Sequence, residues 1–152
     1  MGFEIVREDI LQQLKITKED IILPTRKTKF SVGYDISIPS DQVIYNKTTT
    51  LLVTGIKCKF PNNWAMEMSL RSSFAIKNNL IMPNANGLIE SDYYNNITND
   101  GHIMIAVYNP NDYNIITRNR MYVAQCRFYK FETFGDVVET QREGGFGSTD
   151  EV

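Results

Sequence analysis

One histidine, His102, occurs in 152 residues. That scarcity removes every metal site built from several imidazoles and leaves carboxylates as the acid–base groups. Cysteine is nearly as rare. Cys58 and Cys126 stand in apolar contexts without a CxxC pairing, so they read as two reduced packing residues of a cytosolic protein. No apolar run has the length of a membrane span, and the opening MGFEIVRED is too acidic for a secretory leader. A basic block is missing too: 16 Lys and Arg oppose 18 Asp and Glu, for a net charge of −2. No broad nucleic-acid surface is supported by that balance. A small phosphate ligand stays allowed, because it needs only a few cations and backbone N–H groups.

What remains is a chain sized for one domain, 1–152, able to bury roughly 70% of its unfolded surface without staples. Short β-type runs broken by turn residues predict an all-β sandwich or barrel. They cover residues 30–38, 49–60, 65–70, 102–108 and 122–131. In the fourth, Ile103, Ile105 and Val107 alternate with Met104, Ala106 and Tyr108, so one face is apolar. Asn109-Pro-Asn-Asp is a turn, since proline sets φ and Asn or Asp side chains bond nearby backbone. Helix signals are limited to a weakly amphipathic Glu8 to Leu14 and one short turn over Ser72 to Lys77 with a serine N-cap. Residues 1–22 read as an N-terminal extension. Periodicity is lost after Phe131, and 132–152 reads as a mobile C-terminal arm.

Three segments carry chemistry. In the tail REGGFGST, Arg142 to Thr149, successive glycine N–H groups can converge on phosphate oxygens. Arg142 adds a bidentate cation, and Phe146 offers a flat face to a base. Leu70-Arg-Ser-Ser places the charge of Arg71 and the hydroxyls of Ser72 and Ser73 at a strand-to-helix junction, and helix N-termini suit phosphate. Asn84-Ala-Asn-Gly predicts a tight hairpin whose backbone groups can read a pyrimidine edge, with Glu90, Asp92 and Tyr93 just beyond. Each segment alone is matched by a plainer reading: a solvated tail, a capping serine, exposed loop carboxylates.

In this order and spacing the segments resemble the five motifs of the trimeric all-β dUTPases. Gly33-Tyr-Asp-Ile is similar to the first, Arg71-Ser-Ser to the second and GLIESDYYNN at 87–96 to the third. Ala124-Gln125 resembles the fourth and REGGFGST the fifth. The GFEIV opening and the long DYYNNITNDGHI segment look most like the dUTPases of Gram-positive bacteria and their phages. The resemblance implies a jelly-roll-like fold with one short helix and a C-terminal arm, assembled as a homotrimer whose sites are shared between subunits. It implies hydrolysis of dUTP to dUMP and pyrophosphate by a water attacking the α-phosphorus, with Mg2+ held through the triphosphate and waters rather than by side chains.

Carried over by motif, Asn84 and the backbone of Gly87, Leu88 and Ile89 would read uracil. Tyr93 would pack under the deoxyribose and exclude a 2′-hydroxyl. Arg71, Ser72, Ser73 and Gln125 would contact phosphates. Arg142, Gly147, Ser148 and Thr149 would clamp the far phosphates, with Phe146 over the base. Glu90 would be the general base, and Asp35 would belong to the polar network beside the metal.

Four features depart from the pattern. The base position is usually aspartate and is Glu90 here; Leu70 replaces a common proline; Arg120 and Tyr122 replace the usual Gly and Arg of the fourth motif; Asp150 stands at the usual last glycine. Two other readings stay open at this point. One is a dCTP deaminase-like enzyme of the same fold. The other is a nucleotide-binding regulatory protein with reduced catalysis because of Glu90, acting on a protein partner as phage-encoded dUTPases can.

Overall fold

The computed structural model describes residues 1–135. Ten short strands dominate it: β1 (Gly2–Ile5), β2 (Tyr34–Ser37), β3 (Gln42–Ile44), β4 (Thr49–Val53), β5 (Ile56–Lys59), β6 (Trp64–Leu70), β7 (Gly87–Glu90), β8 (Met104–Tyr108), β9 (Ile115–Thr117) and β10 (Tyr122–Lys130). Two seven-residue helices, α1 (Glu8–Leu14) and α2 (Ser72–Asn78), complete the regular elements, with 3-10 turns at Lys18–Asp20 and Ser91–Tyr93. The all-β expectation therefore holds, with two helices in place of one. No described helix is long and apolar enough to cross a membrane.

Every strand pair is antiparallel. The largest sheet has the order β2-β10-β6-β7, and three two-stranded ladders join β1 to β5, β3 to β9 and β4 to β8. The alternation read over 103–108 is the observed one: Ile103, Ile105 and Val107 are buried, while Met104, Ala106 and Tyr108 are partly exposed. They join Ile36, Ile38, Ile44, Leu52, Met66 and Val123 in one apolar cluster between the sheets. Cys58 and Cys126 are free and buried within it, and burial pushes the Cys58 thiol up to about 12. Neither is a reactive thiol.

Several boundaries differ for local reasons. The run 30–38 shortens to β2 because Thr28 and Ser31 bond each other's backbone and hydroxyls, making a compact turn instead of strand. The run 49–60 splits at Gly55, whose φ of +72° turns the chain between β4 and β5. The turn at Asn109 is as expected: its Oδ1 accepts from the Asn111 N–H at 3.0 Å, and its amide donates to the carbonyls of Ile44 and Tyr113.

His102 is a packing residue. It is 2% exposed, and its Nε2 accepts from the backbone N–H groups of Thr54 at 3.3 Å and Gly55 at 3.1 Å. Burial lowers its pKa from 6.5 to about 4. The unfolded chain takes up this proton at higher pH than the fold does. Stability is therefore complete above about pH 6.5 and falls as the pH drops towards 4, by about 3 kcal/mol in all. Denaturant melts at pH 7.5 and 4.5 check this: His102→Gln, which keeps an acceptor but does not titrate, is expected to show a smaller difference between them. An unchanged difference would show that His102 does not couple the fold to pH.

Candidate active site

The sequence-selected residues fall into two groups. In the first, cross-strand register aligns Asp35 with Gln125 and Gln125 with Ser69. Arg71 follows β6 directly, anchored by its N–H to the Val123 carbonyl at 3.0 Å. Its Nε lies 3.3 Å from Oδ1 of Asp35, a carboxylate only 6% exposed. Gly33 makes room here, because a Cβ at that position would stand 2.8 Å from Oε1 of Gln125. Ser72 and Ser73 are exposed at the start of α2. Ser72 is the first helical residue and not the cap, since Arg71 holds the cap position with extended backbone, φ −64° and ψ 136°. This group offers one cation, two hydroxyls and one amide around a buried carboxylate, which is a phosphate-binding chemistry.

Reading the sequence missed Lys27 in this group and did not show what Tyr122 touches. The ring of Tyr122 lies under the Lys27 ammonium at 4.0 Å and within 5.7 Å of the Arg71 guanidinium. An aromatic ring within reach of two cations attracts both. The replacement of the usual arginine by Tyr122 thus leaves a positively charged edge, with Lys27 contributed from a different segment. The other fourth-motif departure keeps its backbone shape. Arg120 has φ +63°, the left-handed region that glycine enters without strain. Its N–H donates to Ile38 O at 2.8 Å and its guanidinium to Glu19 O at 3.0 Å.

The second group surrounds a cleft of about 250 Å³ between β7 and β8, lined by Asn84, Gly87, Leu88, Ile89 and Tyr93. Five of the sequence-selected residues thus meet in one place. The apolar wall completing the cleft, including Met68, Met82 and Met104, was not expected. Cross-strand register sets Met68 opposite Gly87, Met104 lies on β8, and Met82 follows the isolated bridge of Ile81 to Tyr108. Gly87 is a close approach, because a Cβ there would stand 3.1 Å from the Met68 methyl. The expected Asn-Gly hairpin is corrected. Residues 84–86 form a tight turn with Ala85 at φ +61° and Asn86 N–H to Asn84 O at 2.6 Å. The chain enters this turn from α2, so it does not directly link two paired strands.

Glu90 ends β7, exposed and opposite Ala65. Arg71 lies six residues beyond Ala65 along the same extended β6 segment. At about 3.3 Å per residue the backbones at Glu90 and Arg71 are roughly 20 Å apart. Glu90 and Arg71 therefore stand well apart within one chain, although Asn86 of the turn before β7 lines a pocket with Gly33, Ser69 and Gln125. Arg142, Phe146, Gly147, Ser148 and Thr149 lie outside the described residues.

A family model described as dUTPase matches residues 19–150. The chain belongs to the dUTPase family. It is 34% identical over 152 residues to the deoxyuridine 5'-triphosphate nucleotidohydrolase of Lactococcus lactis, an alignment covering 97% of this chain and 96% of the relative. Its fold is similar to that of the dUTPase from Streptococcus mutans, with a TM-score of 0.79 and 29% identity over 90% of this chain and all of that one. A dUTPase variant from phage phi11 of S. aureus, described with a coordinated structural Mg(II) ion, shares the fold at a TM-score of 0.67 and 16% identity. That match covers 91% of this chain and 96% of the phage protein. The cleft includes residues of the segment that resembles the third motif, and the cationic edge residues of those that resemble the first, second and fourth. All of these relatives are named for dUTP hydrolysis, and the deaminase alternative is not favoured.

Proposed function

We propose that this chain, a dUTP diphosphatase, hydrolyses dUTP to dUMP and pyrophosphate with Glu90 as general base, at sites completed between subunits of a homotrimer. The observation that carries the reading is the cleft. A cleft of about 250 Å³ lined by Tyr93, Asn84, the Gly87 to Ile89 strand and an apolar wall of Met68, Met82 and Ile103 suits a pyrimidine on a deoxyribose. Asn84 and the Gly87, Leu88 and Ile89 backbone read the uracil edge, while the Tyr93 ring leaves no space for a 2′-hydroxyl. Arg71, Ser72, Ser73 and Gln125 hold the phosphates, with Asp35 fixing Arg71. Arg142, Gly147, Ser148, Thr149 and Phe146 close over the bound nucleotide.

The backbone separation of roughly 20 Å between Glu90 and Arg71 along β6 favours a shared site, because the general base and that cation stand far apart within a single chain. In a closed ring of identical subunits, the cationic edge of one copy meets the cleft of the next. Glu90 accepts a proton from water, which then attacks the α-phosphorus in line with the leaving pyrophosphate. Magnesium, when bound, neutralises triphosphate charge. In this reading the ion is carried by the triphosphate and its waters, with Asp35 nearby. The buried, reduced cysteines suit a cytoplasmic setting.

Incubation with dUTP, dCTP or UTP plus magnesium tests the reading. Pyrophosphate is expected chiefly from dUTP, without ammonia from dCTP, and chelation of magnesium should slow turnover roughly tenfold or more. Ammonia from dCTP, or tight dUTP binding without pyrophosphate release, would contradict it.

A further inference from the structure

The phenol of Tyr93 is held in place by the loop that follows it. The residue is 6% exposed, in the 3-10 turn after β7. Its hydroxyl donates to the His102 carbonyl at 2.8 Å and accepts from Nδ2 of Asn99, also at 2.8 Å. Asn99 is itself fixed. Its Oδ1 accepts from Nδ2 of Asn96 at 2.8 Å and from the Gly101 N–H at 3.1 Å, and its own N–H donates to Asn96 Oδ1 at 3.0 Å. Asn96, 5% exposed, also donates to the Tyr93 carbonyl at 2.8 Å, and the His102 N–H closes the circuit on the Asn99 carbonyl at 3.0 Å. Asn95, Asp100 and Gly101 take positive φ to make so tight a loop. At Gly101 a Cβ would stand 2.7 Å from the Tyr93 carbonyl oxygen.

An apolar wall rejects an added hydroxyl only weakly when it can move aside, so the discrimination available depends on how firmly the wall is held. We infer that Asn99 is a positioning residue for sugar discrimination: through its amide it pins the Tyr93 ring against retreat, so that a ribonucleotide's 2′-hydroxyl cannot be accommodated. Its Oδ1 bonds shape the loop, whereas its Nδ2 bond acts on the cleft floor. The inference rests on the reading that Tyr93 packs under the deoxyribose, and the variants below separate the two.

The readout is the ratio of kcat/KM for dUTP to that for UTP. A merely structural defect lowers the active fraction equally for both substrates and leaves the ratio unmoved. Asn99→Ala and Tyr93→Phe are each expected to lower the ratio about three- to tenfold by admitting UTP. The double variant should lose scarcely more than Tyr93→Phe alone, since both remove one shared bond. If Asn99→Ala does not fold, Asn99→Ser, too short to reach the phenol, is read in its place, because Tyr93→Phe also removes the bond to the His102 carbonyl and tests the brace only as a whole. Unchanged ratios in Tyr93→Phe and Asn99→Ala beside a collapsed ratio in Tyr93→Ala would overturn the brace and leave the reading of Tyr93 standing. An unchanged ratio in Tyr93→Ala would overturn both.

Discussion

Glu90→Gln is expected to slow dUTP hydrolysis by about 100- to 10,000-fold while leaving dUTP affinity at or slightly above that of the parent. The substitution keeps the length and hydrogen-bonding reach of the side chain and removes its capacity to take a proton. Glu90 lies at the exposed end of β7, beyond the uracil-reading backbone and beside the turn that carries Tyr93. Binding and proton transfer are thus assigned to different residues, which is why kcat should fall without a rise in Kd. Glu90→Asp, which restores the usual residue of the motif, is expected to turn over at least as fast as the parent. A misplacement of about 1 Å can cost on the order of 100-fold, so the comparison reports how well this pocket is fitted to the longer side chain. Single-turnover rates and nucleotide titrations for the three proteins provide the check. A Glu90→Gln rate within about threefold of the parent would remove Glu90 from the mechanism.

The second large effect is on stability. Asp100→Ala is expected to destabilise the fold by about 3–5 kcal/mol, because it strands a buried cation. Asp100 is 2% exposed and its Oδ2 lies 2.9 Å from the Lys57 ammonium, itself nearly buried on β5. The same oxygen accepts from the Arg7 N–H at 2.8 Å, and Lys57 also donates to Asn95 Oδ1 at 2.6 Å. The carboxylate thus joins the segment before α1, strand β5 and the loop that braces Tyr93. At about 2–4 °C per kcal/mol for a chain of this size, the melting temperature should fall by roughly 10 °C. Replacing both charges, Lys57→Met with Asp100→Asn, should recover much of the loss, since no buried charge is then left unpaired. Equal melting temperatures for Asp100→Ala and the parent would show that the pair is not a structural tie.

Legibility in the sequence followed the range of the interactions. The alternation of 103–108, the Asn109 turn and the extents of α1 and α2 depend on neighbours close in sequence, and the structure agrees with them closely. Strands β1, β3, β7 and β9 have three or four residues each and acquire their conformation from partners far along the chain. The motifs brought Asp35, Arg71 and Gln125 to attention, but their contact arises because β10 lies between β2 and β6. Lys27 and the methionines of the cleft carry no local signal, because only tertiary contacts place them at the site. Tyr122 stood out as a departure from the fourth motif, yet its contacts with Lys27 and Arg71 became visible only in three dimensions. His102 is the converse case. Its rarity excluded multi-histidine metal sites, while its role as a neutral acceptor for Thr54 and Gly55 depends on contacts almost fifty residues apart.

The most direct test of the shared site is complementation between two inactive variants. Arg71→Ala lacks the phosphate cation and Glu90→Gln lacks the base. If each site takes Glu90 from one subunit and Arg71 from another, co-refolding equal amounts leaves about one quarter of the sites intact by random assortment. Mixing is then expected to restore dUTP hydrolysis to about one quarter of the parental rate from two preparations that are nearly inert alone. Activity no higher than that of the separate variants, in mixtures shown to have exchanged subunits, would contradict the shared site.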